Sequence, residues 1–92
     1  MRIYLLGSHK NVKEFYELET ILTEDGHSVI NPLKVIDALP PIQQGFWIPV
    51  AQELIRISDV VYLIDGYDKD LIARLEKANA DRLDKEFWNG TN

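Results

Sequence analysis

Glu76 is the residue of this sequence best placed to do chemistry, because of what precedes it. The run Tyr62-Leu63-Ile64-Asp65-Gly66-Tyr67 reads as a buried strand feeding a turn, and the helical pattern that follows places Glu76 one to two turns past its start. A strand, a turn and a helix with an inward carboxylate present an acid to a small ligand beyond the strand ends of an open α/β sheet. The opening segment Ile3-Tyr4-Leu5-Leu6-Gly7-Ser8 has the same design, a hydrophobic strand ending in a small-residue loop. The Gly7-Ser8 loop and the Asp65-Gly66 turn are therefore expected to converge on one crevice.

Strands and helices that would position these groups alternate along the chain. Val12, Phe15, Leu18, Ile21 and Leu22 recur at helical spacing between Asn11, which with Glu14 resembles a capping box, and a stop at Gly26. That spacing predicts a helix from Val12 to Glu24. Ser28-Val29-Ile30 is a short strand closed by Asn31-Pro32. Leu33 to Gly45 has no clear period, and a connection of that length in a small domain suggests a substrate lid. Pro49 suits a first helical turn, and Val50, Leu54, Ile55 and Ile57 give that helix an apolar face. Val60 to Ile64 is a continuous apolar run, as in a strand buried on both faces. Leu71, Ile72, Leu75, Ala78 and Leu83 mark a third helix from about Lys69 to Glu86. The order β-α-β-α-β-α with right-handed crossovers gives a parallel sheet in the order 2-1-3, helices on both faces, with its switch point between strands 1 and 3. Lys85 to Asn92 carries no apolar run of either kind, so no fourth strand is expected there.

Length and charge narrow the function. The 92 residues fit a single domain spanning 1–92, near the small end of what one core supports. Cysteine is absent, which removes disulfides and thiolate metal sites. The apolar run at Met1–Leu6 breaks at Gly7, too short for a signal peptide or membrane span, so a cytoplasmic protein is expected. A net charge of -5 disfavours nucleic acid and leaves a small molecule as the expected ligand. His9 and His27 have no carboxylates at metal-ligand spacing, and neither a metal nor a cofactor is expected.

Four segments in consistent order resemble the nucleoside 2-deoxyribosyltransferase superfamily, most closely its small phage and bacterial branch. They are Ile3–Ser8, then Asp25-Gly26-His27-Ser28-Val29-Ile30-Asn31-Pro32, then Ser58–Tyr67, then Ala73-Arg74-Leu75-Glu76 with Ala80. The resemblance implies a Rossmann-like (flavodoxin-like) fold and chemistry at the N-glycosidic bond of a 2′-deoxynucleoside or its monophosphate, by transfer or hydrolysis. It places Glu76 at the nucleophile position, Tyr4 at a sugar-side tyrosine, and Gly7 and Ser8 in the first ligand loop. It also implies a homodimer or larger homo-oligomer, with Phe87 and Trp88 as candidate contacts.

Two positions depart from the family pattern. The family reads serine, any residue, glycine, then alanine or threonine before the glutamate, where this chain reads Asp70-Leu71-Ile72-Ala73. The assisting aspartate position is Ala51, and the nearest acid, Glu53, falls elsewhere on a helix of 3.6 residues per turn. Asp70 beside Asp68 would each oppose a 5′-phosphate by on the order of 3 kcal/mol at roughly 5 Å and an effective dielectric of about 20. Lys10 and Lys69 offset part of this, and the balance favours a nucleoside over a nucleotide. Candidate ligand-binding residues are thus Gly7, Ser8, Lys10, Gly66 and Asp70.

Plainer roles exist for the same residues. Asp68 and Asp70 can serve as helix caps, Glu76 as a solvated helix residue, and Tyr4 as core with one buried partner. Phe46, Trp47, Phe87 and Trp88 can be packing or interface residues, and Asp59 an acceptor of backbone bonds. A pseudoenzyme that binds nucleosides without cleaving them and a small protein-interaction module are the alternative functions.

Overall fold

The computed structural model describes residues 1–90; Thr91 and Asn92, the end of the segment read as non-strand, lie outside it. Strands β1 (Arg2–Leu6), β2 (Ser28–Ile30), β3 (Val60–Leu63) and β4 (Glu86–Asn89) form one sheet in the order β2-β1-β3-β4, every pair parallel. The predicted order 2-1-3 is thus present, and a fourth strand extends it beyond β3.

Alternation along β1 builds two cores. Ile3 and Leu5 face α1 (Val12–Glu24) and α2 (Pro32–Ala38), where Phe15, Leu22, Leu33, Val60 and Ile64 complete a cluster. Tyr4 and Leu6 face α4 (Trp47–Arg56) and α5 (Leu71–Arg82), with Ile55, Val61, Leu63, Ala73 and Ala80. Because helices cover both faces, the central strands need no polar side, which explains their unbroken apolar runs.

α1 spans the predicted Val12–Glu24, and Gly26 at φ +93° ends it in the left-handed region. The predicted capping box is absent: Asn11 makes no side-chain cap, and its own N–H donates to the Ser8 carbonyl at 3.0 Å. Asn31 does cap a helix, accepting from the Leu33 N–H at 3.0 Å, with Pro32 as the first residue of α2. The supposed lid at 33–45 is therefore largely helical, comprising the rest of α2 and the single turn α3 (Pro41–Gln44). Gln44 ties the two together, its Nε2 donating to the Ile36 and Leu39 carbonyls at 3.1 Å each. Prolines at 32, 40 and 41 hid these turns, since each breaks a period that the chain resumes within a few residues.

The third predicted helix stops short of its expected end. α5 ends at Arg82, and Asp84 at φ 54° turns the chain into β4, a conformation aspartate tolerates better than most residues. Lys85 fastens this corner by donating to the Arg56 and Ser58 carbonyls at 2.9 and 2.6 Å, which places a cation at the end of α4. On β4, Phe87 packs against the α4/α5 core and Trp88 against the α1 core. Both were candidate subunit contacts, and both stay half-buried in the single chain, where Lys77 Nζ lies 4.4 Å from the Phe87 ring centroid and His27 meets Trp88 edge-on at 5.4 Å. Four residues bounded by Glu86 and Asn89 are too few to show a strand period.

Candidate active site

Glu76 is only 4% exposed although it is a carboxylate. Its burial follows from helix geometry: Ala73, Glu76 and Ala80 stand at i, i+3 and i+7 on the face of α5 that packs on the sheet. Alanines on either side of Glu76 let that face approach β1 closely. The Tyr4 hydroxyl donates to Glu76 Oε1 at 2.5 Å, and the Trp47 indole N–H donates to Oε2 at 3.3 Å. Three elements, β1, α4 and α5, therefore meet at one buried acid.

Burial shifts this pair strongly. Loss of solvent raises the Glu76 pKa from 4.5 to about 7, and the nearby Asp70 adds to the rise, while the Tyr4 and Trp47 hydrogen bonds oppose it. Tyr4 is pushed well above the ordinary tyrosine value by its own burial and by the adjacent Glu76, so it remains a proton donor. A carboxyl that is half ionised near neutrality, held by two donors, can attack as the anion or give a proton as the acid.

Beyond the carboxyl ends of β1 and β3 lies a cleft of about 410 Å³, whose lining includes His9, Phe46, Trp47, Asp70 and Ile72. Glu76 itself lines a separate cavity of about 200 Å³ between α4 and α5, with Gln52, Leu75, Asn79 and Arg82 among its walls. Ile48 borders both spaces, and the buried Trp47 stands between the cleft and the carboxylate. Among the described residues, no second acid hydrogen-bonds Glu76, and Ala51, at the position where an assisting acid was sought, is fully buried.

The other residues singled out by sequence fall in different places. Asp70 lines the cleft and also caps α5, its Oδ1 accepting from the Ala73 N–H at 2.9 Å. Gly7 is buried under Ile64, whose Cβ lies 2.8 Å from where a Gly7 Cβ would stand, so this glycine serves close packing. Ser8 Oγ accepts from the Lys10 N–H at 3.4 Å, and the Lys10 side chain is exposed. Gly66 at φ +90° starts the 3₁₀ turn Tyr67–Lys69. Gly7, Ser8, Lys10 and Gly66 do not line the cleft. Asp59 accepts the Arg2 N–H at 2.8 Å, the backbone role expected of it.

Trp47 and His9 are the site residues that sequence reasoning missed. Trp47 was read as packing, and no spacing links it to Glu76 some 29 positions later. His9 meets the Phe15 and Trp47 rings edge-on at 5.9 and 5.8 Å, and burial lowers its pKa against a smaller upward pull from Asp70. Its place directly after the Gly7-Ser8 loop was the available signal. Among the described residues, no group of His, Cys, Asp and Glu side chains is arranged to hold a metal ion, and no helix is long and apolar enough to cross a membrane.

The fold is shared with a nucleotide-cleaving enzyme. The solved structure of the CMP N-glycosidase BcmB of Clostridium botulinum matches 97% of this chain and 67% of its own length, with a TM-score of 0.69 and 20% sequence identity. At that identity the likeness establishes a common α/β fold. No protein-family model and no curated protein matches the sequence.

Proposed function

We propose that the protein cleaves or exchanges the N-glycosidic bond of a 2′-deoxynucleoside or related nucleotide, with Glu76 as nucleophile. The observation that carries this reading is the buried Glu76 carboxylate held by Tyr4 and Trp47. The CMP N-glycosidase with the same fold supports the class of reaction. Tyr4 at 2.5 Å fixes Oε1, while the longer Trp47 contact at 3.3 Å is the one that yields and frees Oε2.

In the proposed step, an oxygen of ionised Glu76 bonds to the anomeric carbon as the carbon–nitrogen bond breaks. That bond's electron pair passes to the base nitrogen, which takes a proton from solvent. Water then attacks the glycosyl ester, giving free sugar and restoring the carboxylate; a second base in place of water gives transfer. Tyr4 acts as the orienting donor throughout. The covalent step predicts that a labelled free base is incorporated into unlabelled nucleoside, and release of base without any such exchange would favour direct hydrolysis.

A nucleoside-binding protein without turnover is the second reading, favoured by Ala51 and by the lack of any acid hydrogen-bonded to Glu76 among the described residues. Saturable nucleoside binding without base release would establish it. We also propose that the protein is a homo-oligomer, since Ile42, Phe46 and Leu71 are 78%, 65% and 61% exposed. A monomer at all concentrations in analytical ultracentrifugation would contradict this.

A further inference from the structure

We infer that the cleft beside Trp47 is a base subsite that selects heterocycles bearing an amino group next to a ring acceptor over their oxo counterparts. The inference rests on the N-glycosidase reading for the identity of the ligand as a nucleobase. Its chemistry rests on the two polar groups that His9 and Asp70 bring to the cleft wall.

Asp70 Oδ1 is occupied by the Ala73 N–H, whereas Oδ2 has no hydrogen-bond partner among the described residues. A carboxylate oxygen can only accept, so it requires a donor such as an exocyclic amino group. The His9 ring makes edge contacts with Phe15 and Trp47 but no hydrogen bond within the described residues. Lowered in pKa, it is neutral at pH 7 and offers one N–H donor, which a ring nitrogen or carbonyl beside the amino group accepts. Phe46, Trp47 and Ile72 supply apolar surface for a planar ring, and Phe46 is largely exposed at the mouth. An oxo group facing Asp70 would set two acceptors against each other, which is repulsive rather than neutral. A volume of about 410 Å³ falls within the roughly 300–1,000 Å³ of small-molecule sites, enough for one heterocycle with part of a sugar.

The decisive variant is Asp70→Asn. Asparagine caps a helix as well as aspartate does, so the start of α5 is kept while an amide donor becomes available to the cleft. Tryptophan fluorescence titrations with free cytosine and free uracil, and with the matching 2′-deoxynucleosides, read the preference without needing turnover. The wild type is expected to favour the amino ligand by tenfold or more, Asp70→Asn to erase or reverse that preference, and His9→Phe to weaken it. Equal binding of the two ligands, binding of neither, or a preference unchanged in Asp70→Asn would overturn the inference. Selective binding without base release would leave the subsite standing and remove the glycosidase reading, and base release with no selectivity would do the opposite.

Discussion

Replacing Glu76 with glutamine tests the buried carboxyl through stability rather than activity. The folded protein holds the Glu76 proton up to about pH 7, whereas an unfolded chain releases it near 4.5. Below pH 4.5 both states are protonated, and the residue contributes no pH dependence. As pH rises from 4.5 to 7, only the unfolded state ionises, so stability falls by about 1.4 kcal/mol per pH unit. Over that interval of 7 − 4.5 = 2.5 units, the wild type loses about 3 kcal/mol, and above pH 7 the loss levels off. Glutamine cannot ionise and escapes this loss. Its amide can accept from Trp47 and donate to Tyr4, leaving the Tyr4 hydroxyl hydrogen in need of a new acceptor at a cost of about 1–3 kcal/mol. That cost is the same at every pH, so the informative quantity is how the difference between the two proteins grows. Urea denaturation at pH 4.5 and pH 8 should show Glu76→Gln gaining about 3 kcal/mol on the wild type between the two conditions, roughly 12–24 °C in Tm for a domain of this size. Parallel stability curves for the two proteins would refute the raised pKa and with it the burial argument.

Four further outcomes follow from the same geometry. If Glu76 attacks as the anion, kcat/KM should rise with pH through about 7; a falling limb there would mark it instead as a general acid. Asp70→Asn removes one of the influences that raise Glu76, so the rising limb should move to lower pH, and an unmoved limb would contradict that coupling. Tyr4→Phe deletes a hydrogen bond to a charged group worth about 1.5–3 kcal/mol and should lower kcat by roughly 10- to 100-fold while moving the limb upward; unchanged kinetics would remove Tyr4 from the site. Gly7→Ala forces a methyl to within 2.8 Å of Ile64 Cβ and should destabilise the fold by about 1–3 kcal/mol in denaturant titration, an effect whose absence would show that β1 can shift there.

Long periodic segments made the fold legible. The α1 boundaries, the first three strands and the sheet order followed from runs such as Val60–Ile64, because burial on both faces leaves a continuous apolar signature. Short segments punctuated by proline or bounded by polar residues did not, and α2, α3 and β4 were missed for that reason. At the site, the sequence singled out Glu76 as an inward carboxylate on the helix after β3, and it is indeed buried, but in a cavity between α4 and α5 rather than in the crevice beyond the strand ends. Its partner Trp47 could not be singled out, since the contact depends on how α4 lies against α5 rather than on any sequence interval. Asp70 showed a different limit: one residue caps a helix and faces a cleft, and sequence displays both roles by the same letter.

Chromatographic measurement of free-base release decides whether Glu76 acts as a glycosidic nucleophile. A panel of 2′-deoxynucleosides and their 5′-monophosphates, each with and without an added acceptor base, would be incubated with the wild type and with Glu76→Ala. Release or exchange of base from at least one member is expected with the wild type, and none with the variant. Equal release by both proteins, or none by the wild type across the whole panel, would contradict Glu76 as the nucleophile of a glycosidic reaction.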